Sequence, residues 1–316
     1  MDIRKPEFSD SETRIDRNYR AQVDSGRWLD YPMIVSIETY AKCNAACEFC
    51  PYVEMERIGA KLSRERVFSL LDEVARYPVP PQRLNLCRVN EPFLDPNLFD
   101  YLEYAAEHLP HTDLILFSNG QTLTDKVIDR LASLPTFRQL TISFNEHDAD
   151  EYRRVMGINF KQTVKRISRM HERFDAGSIP FRVLISRVGS SNSTDAEFLQ
   201  WCRERFPKFP ASSAARFDWI GSAQTNQAIA PDAGCMQWFS LHVLADGQFA
   251  FCCIDGAGDA MQESLADKSM LDAYNAPSKR NLRAQIVSRR DVSICANCIH
   301  AMPSSAYALH ETETTA

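Results

Sequence analysis

Three cysteines in eight residues, Cys43-Asn-Ala-Ala-Cys47-Glu-Phe-Cys50, form the first stretch whose residue types and spacing could do chemistry. Three thiolates from one loop can hold a four-iron cluster and leave one iron without a protein ligand. Structural zinc takes four closed ligands, and the run offers no histidine or fourth cysteine, the nearest candidate being Cys87. A second group, Cys235, Cys252, Cys253, Cys295 and Cys298, falls roughly in the last quarter of the chain. Cys235, Cys252 and the Cys295-x-x-Cys298 pair offer four thiolates, enough to close a second cluster or a zinc site. Cys252 and Cys253 are adjacent, and neighbours on a strand face opposite ways, so both cannot easily bind one cluster and either could be the ligand. Cys87 and Cys202 stand apart and read as packing residues.

With aromatic Phe49 before its last cysteine, the first run resembles the signature of the radical S-adenosylmethionine (SAM) superfamily. The resemblance implies a [4Fe-4S] cluster on Cys43, Cys47 and Cys50 whose open iron chelates the amino and carboxylate groups of SAM. It also implies cleavage of SAM to methionine and a 5′-deoxyadenosyl radical, driven by an external one-electron donor such as flavodoxin or ferredoxin. Asn90-Glu91-Pro92 is similar to the family's Gly-Glu-Pro, which implies Glu91 as acceptor for the SAM ammonium, with Asn90 in place of the usual glycine. Ser118-Asn119-Gly120 is similar to the Thr-Asn-Gly beside the ribose, and Ser143 and Asn145 end the fourth expected strand. Tyr152-Arg153-Arg154-Val155-Met156-Gly157 resembles the stretch whose arginine pairs with the SAM carboxylate, a role open to Arg154 and to Arg153. The expected SAM-binding set is therefore Phe49, Glu91, Ser118, Asn119, Ser143 and Arg154. The second group resembles the SPASM cysteine-rich domain cut short after Cys298, as in the smaller twitch domain. That implies one auxiliary [4Fe-4S] cluster on Cys235, Cys252, Cys295 and Cys298, with zinc on the same thiolates as the alternative.

These loops need a scaffold, and from Met33 onward the chain alternates apolar strand-length runs with helical patterns, the mark of βα units around a parallel sheet. Strands are expected at Met33–Glu38, Arg83–Val89, Asp113–Ser118, Gln139–Phe144, Arg182–Arg187 and Ala215–Ile220. Helices are expected near Ser63–Arg76, Asn97–Leu109, Thr124–Leu134, Lys161–Phe174 and Thr194–Phe206. The expected fold is α/β, a partial (β/α)6 TIM-like barrel over residues 31–222. A polar linker, Gly221–Asp232, leads to a small twitch domain over 233–300. In it Phe239–Ala245 and Gln248–Cys253 flank Asp246-Gly247, a strong hairpin signal, and helical segments follow at Ser269–Tyr274 and Pro277–Val287. Residues 1–30 lack a sustained apolar period and read as a surface extension, and 301–316 as a loose tail.

Apolar residues at 44%, charged at 25%, 11 Gly and 16 Pro describe a folded globular chain. Net charge is −6 with basic residues interspersed among acids, which argues against nucleic acid as a partner. With no long apolar run and no apolar signal stretch, a cytoplasmic protein without membrane contact is expected. The expected activity is oxidation of a small polar substrate, sugar- or aminocyclitol-like, as in the 2-deoxy-scyllo-inosamine dehydrogenase group, with the auxiliary cluster as electron acceptor. The alternatives are epimerisation, with Cys253 returning a hydrogen atom, and peptide modification. Peptide maturases commonly carry an N-terminal leader-binding module, for which the residues before Met33 leave no room. A zinc-bound module is the non-catalytic alternative. Asn145, His147, Arg187, Trp219 and Trp238 are candidates for choosing the substrate.

Overall fold

The computed structural model describes residues 10–190, 192–216, 219–220, 230, 232–298 and 300. An eight-stranded sheet runs in the order β6-β5-β4-β3-β2-β1-β7-β8. Its strands are β1 (Ile34–Ile37), β2 (Arg83–Asn85), β3 (Asp113–Ser118), β4 (Phe137–Ser143), β5 (Arg182–Val188), β6 (Ala211–Ala214), β7 (Ser240–Val243) and β8 (Phe249–Ala250). Strands β1 to β6 pair in parallel, each with the next. The helices α2 (Arg64–Ala75), α3 (Leu98–His108), α4 (Asp125–Ser133), α6 (Phe160–Asp175) and α7 (Ser193–Arg205) supply the crossovers that parallel pairing requires. This is the partial TIM-like α/β barrel expected from the alternation.

The helices form where the sequence gives them a start and an apolar face. In α2 the Ser63 hydroxyl accepts from the Arg66 N–H, and Val67, Leu70, Leu71 and Val74 recur at helical spacing and are buried. Thr124, Asn159 and Asn192 cap α4, α6 and α7 in the same way. Each of the parallel strands feeds a loop at its C-terminal end. There the carbonyl and N–H groups turn from the sheet to the site.

Three features differ from the sequence reading. The sixth strand is Ala211–Ala214 rather than Ala215–Ile220, because the more apolar stretch leaves the sheet, with Trp219 and Ile220 at positive φ. An additional helix, α5 (Ala149–Met156), starts at Asp148, whose carboxylate accepts from the N–H groups of Asp150 and Glu151. Residues 1–30 are more than a surface extension, since they contain α1 (Asp10–Ser25). Tyr19 on α1 and Trp28 after it are buried, and Tyr19 meets Trp238 edge-on with ring centroids 5.4 Å apart. The linker expected at 221–232 falls mostly outside the described residues, and the tail at 301–316 wholly so.

The hairpin after the linker continues the barrel sheet. β7 pairs in parallel with β1, from Ile34↔Ser240 to Ile37↔Val243, and β8 returns antiparallel. The turn forms at Asp246-Gly247, where Gly247 has φ 88 and the Asp246 carboxylate accepts from the Gln248 N–H. Helices α8 (Met270–Tyr274) and α9 (Pro277–Ala284) follow. Among the described residues no helix is long and apolar enough to cross a membrane.

The seat of α1 generates a test. A Cβ built on Gly234 would lie 2.1 Å from the Tyr19 ring. That ring cannot retreat easily, because its hydroxyl accepts from the Val287 N–H and its one proton lies within reach of the carbonyls of Leu282 and Gln285. Gly234→Ala should lower unfolding free energy by about 1–3 kcal/mol in denaturant titrations, as overpacking does. An unchanged midpoint would show that α1 is not seated on this wall.

Candidate active site

The loop after β1 carries the first three cysteines, and its neighbours fix its path. The C-terminal end of α5 docks on it, with the Ala46 N–H donating to the Met156 carbonyl and the Glu48 N–H to that of Val155, both at 3.0 Å. Gly157 ends α5 at φ 71, where a Cβ would come 3.4 Å from that of Ala46, so a residue without a side chain permits this approach. Cys43, Cys47 and Cys50 all line one cavity of about 440 Å³, within the size range of small-molecule sites.

Phe49, Glu91, Ser118, Asn119, Ser143 and Asn145 line the same cavity. The buried Glu91 carboxylate ties the loop after β2 to the loop after β3. It accepts from the Asn119 N–H at 2.8 Å, the Ser118 hydroxyl at 3.0 Å and the Thr122 hydroxyl at 3.3 Å. Asn119 in turn donates to the Asn44 side chain at 2.7 Å, inside the cysteine loop. Burial pushes the Glu91 carboxyl up to about 7 although these donors favour its charged form.

Arg154 does not join this set. Its side chain is 56% exposed and pairs with Glu48 at 2.6 Å and Glu151 at 2.8 Å, so it clamps the outside of the cysteine loop. It stands on the solvent side because Tyr152, Val155 and Met156 take the buried face of α5. Of the residues considered for substrate choice, Asn145 is committed to Met156 and to the Val188 N–H. Arg187 is buried and ion-paired with Glu146 and Asp195. His147 packs against Phe198. Trp238 is buried away from the cavity, its indole near the Cys295 thiol. Trp219 lines the cavity and donates its indole N–H to the Phe49 carbonyl at 2.7 Å.

Cys252 and Cys253 lie in the bend and turn just after β8 rather than on a strand, so alternation along a strand does not set them apart. Cys252, Cys295 and Cys298 are buried in one cluster against which both Cys235 and Cys253 pack, and of the five only Cys253 also lines the cavity. Beside Cys253 stands His300, with Nε2 3.3 Å from the Cys253 Sγ. His300, Arg88 and His242, all cavity residues, had no spacing signal in the sequence. Cys202 lies in the barrel core as a packing residue, while Cys87, also buried, reaches the cavity wall.

The model of the Radical SAM superfamily matches residues 37–204, over half of the 316. This chain belongs to the radical SAM superfamily. Solved structures similar to it include BtrN in complex with AdoMet and 2-DOIA, at 14% identity and TM-score 0.57 over 84% of this chain and 92% of that one. SuiB from Streptococcus suis, bound to its precursor peptide SuiA, matches at 12% identity and TM-score 0.63, over 90% and 75%. Native anSMEcpe with bound AdoMet and Cp18Cys peptide matches at 11% identity and TM-score 0.57, over 88% and 94%. At such identities the likeness is one of fold. No curated protein matches the sequence.

Radical SAM membership implies SAM and a [4Fe-4S] cluster, and the first cysteine loop fits that demand. Burial pushes the Cys43, Cys47 and Cys50 thiols up, Cys50 to about 11, so they ionise only against a positive partner such as an iron–sulfur core. The second group has counter-charges nearby. Lys279 and Arg289 are buried beside it, and the Lys279 ammonium and two Arg289 nitrogens find no acceptor among the described residues. Two such cations suit a set of thiolates held by metal. Among the described residues no three His, Cys, Asp or Glu groups converge on a point suited to a single metal ion. A cubane instead asks for one thiolate at each iron.

The state of Glu91 can be measured. The unfolded chain loses this proton near the ordinary carboxyl value, while the folded chain holds it to about 7. Stability from this group is therefore full below that ordinary value and falls as pH rises toward 7. Between pH 5 and pH 8 the wild type should lose roughly 2–3 kcal/mol relative to Glu91→Gln in urea unfolding. Parallel pH profiles would contradict the burial of a protonated carboxyl.

Proposed function

We propose that this chain oxidises a small polar substrate, sugar- or aminocyclitol-like, by radical SAM chemistry. Cys43, Cys47 and Cys50 hold the SAM-binding cluster, and Cys235, Cys252, Cys295 and Cys298 hold an auxiliary [4Fe-4S] cluster. One observation carries the reading: Cys252, Cys295 and Cys298 are buried together with Cys235 packed against them, beside buried Lys279 and Arg289, whose ammonium and two guanidinium nitrogens find no acceptor among the described residues. When bound, these groups supply a 5′-deoxyadenosyl radical that removes a carbon-bound hydrogen atom and a cluster that accepts the electron the substrate radical gives up. The electron for SAM cleavage comes from an external donor of the flavodoxin or ferredoxin type.

The protein's own share is positioning and exclusion of water. Glu91, Ser118 and Asn119 hold the loops after β2 and β3 against the cysteine loop. Phe49 and Trp219 give the cavity an apolar side. BtrN, crystallised with AdoMet and the small molecule 2-DOIA, supports a small substrate by analogy of fold. Epimerisation is the second reading, favoured by Cys253, which faces the cavity and could return a hydrogen atom to a substrate radical.

Oxygen-free reconstitution should load about eight irons per chain, and replacing Cys43, Cys47 and Cys50 together by Ala should leave about four with SAM cleavage abolished. Iron for one cluster with tightly bound zinc would overturn the auxiliary cluster. SAM cleavage surviving the triple change would overturn the role of the first loop. For oxidation, Cys253→Ala should keep most turnover. Loss of all turnover with both clusters intact would favour the epimerase.

A further inference from the structure

One part of the cavity wall carries hydrogen-bond donors that the fold leaves unused. Arg88, in the loop after β2, reaches across to the second cysteine group. One terminal nitrogen donates to the carbonyls of Cys252 at 3.0 Å and Asp255 at 3.1 Å, and the other lies 3.1 Å from Nδ1 of His242 on β7. A guanidinium has donors only, so His242 Nδ1 must accept and the ring proton must sit on Nε2. His242 is 2% exposed, lines the cavity, and its Nε2 finds no acceptor among the described residues. The same holds for Nε of Arg88.

Charge points the same way. Among the described residues Arg88 has no carboxylate within ion-pair distance. The nearby acids are committed elsewhere. Asp255 accepts from the N–H groups of Phe251 and Gly258, and Glu38 pairs with Arg57. This stretch of wall thus carries a positive charge and two buried N–H donors that find no acceptor among the described residues. A buried donor left unpaired is costly, and a ligand oxygen placed within its reach recovers that cost.

We propose that Arg88 and His242 form a subsite for an anionic oxygen group, a carboxylate, on the substrate. The inference rests on the oxidation reading above and narrows it: the sugar- or cyclitol-like substrate bears a carboxylate that is turned toward the second cysteine group. Arg88 supplies the charge, and His242 donates from Nε2 and fixes orientation. SAM also has a carboxylate, but its partners in the superfamily resemblance are the open iron of the first loop and an arginine of the Tyr152–Gly157 stretch, so loss of SAM binding on changing Arg88 would point to the wrong ligand.

The test uses anaerobically reconstituted, SAM-loaded protein, titrated calorimetrically with sodium D-gluconate and, separately, with the neutral polyol D-sorbitol. Gluconate should bind about tenfold or more tightly than sorbitol, as a charge-assisted contact allows. Arg88→Gln should abolish the preference, Arg88→Lys should restore part of it, and His242→Phe should weaken gluconate several-fold, all with SAM affinity unchanged. Equal binding of the two probes, no gluconate binding, a preference that persists in Arg88→Gln, or a loss of SAM affinity instead would each overturn the subsite. Iron content and SAM cleavage are measured on the same samples. If iron for only one cluster is found, the oxidation reading fails, whatever the anion preference shows.

Discussion

The carboxylate of Glu38 is buried at the end of β1 and shared by three segments that are far apart in sequence. Arg57, from the segment after the cysteine loop, donates Nε at 2.7 Å. The Val89 N–H from the loop after β2 donates at 3.0 Å, and the Ala245 N–H beyond β7 at 3.2 Å. Arg57 also reaches the carbonyl of Ala257. Cysteine loop, Arg88 loop and hairpin are thereby held at one point. Removing one side of a buried pair typically costs about 3–5 kcal/mol, because the other charge is left without a partner. Three of the segments that border the cavity therefore share this one carboxylate.

Much of the scaffold was legible because burial imposes periodicity. Strand β3 falls on its expected limits, and helices α2, α3, α4, α6 and α7 lie within a residue or two of theirs. Their caps and apolar stripes are local, so one sequence suffices to find them. β6 was misplaced because its residues, Ala211-Ser-Ser-Ala214, are small and polar while the apolar run follows. α1 was missed because its buried contacts are few and distant: Tyr19 makes its hydrogen bonds to residues 282, 285 and 287. Nothing near Tyr19 in sequence announces that partner.

The site shows the same division. The cysteines announce themselves by spacing, and Glu91, Ser118 and Asn119 by their order after expected strands. Arg154 lies on the exposed face of α5, because a basic residue on a short helix has two faces to choose from and the apolar side chains beside it decide. Arg88 and His242 were invisible, since an arginine and a histidine 154 positions apart carry no pattern. Glu38 left a faint mark, an acid closing an otherwise apolar strand.

The parallel pairing of β7 with β1 also sets an order of events in time. The cysteine loop leaves the ribosome early, but β1 has only one neighbour until residues 240–243 have been synthesised. Through that interval its second edge is open, and an unpaired parallel edge is prone to pair with another chain. Closing a loop of some two hundred residues is entropically slow, so this pairing falls late in folding. The cysteine loop therefore follows a strand with an unfilled edge for most of synthesis, until β7 joins β1 and closes it.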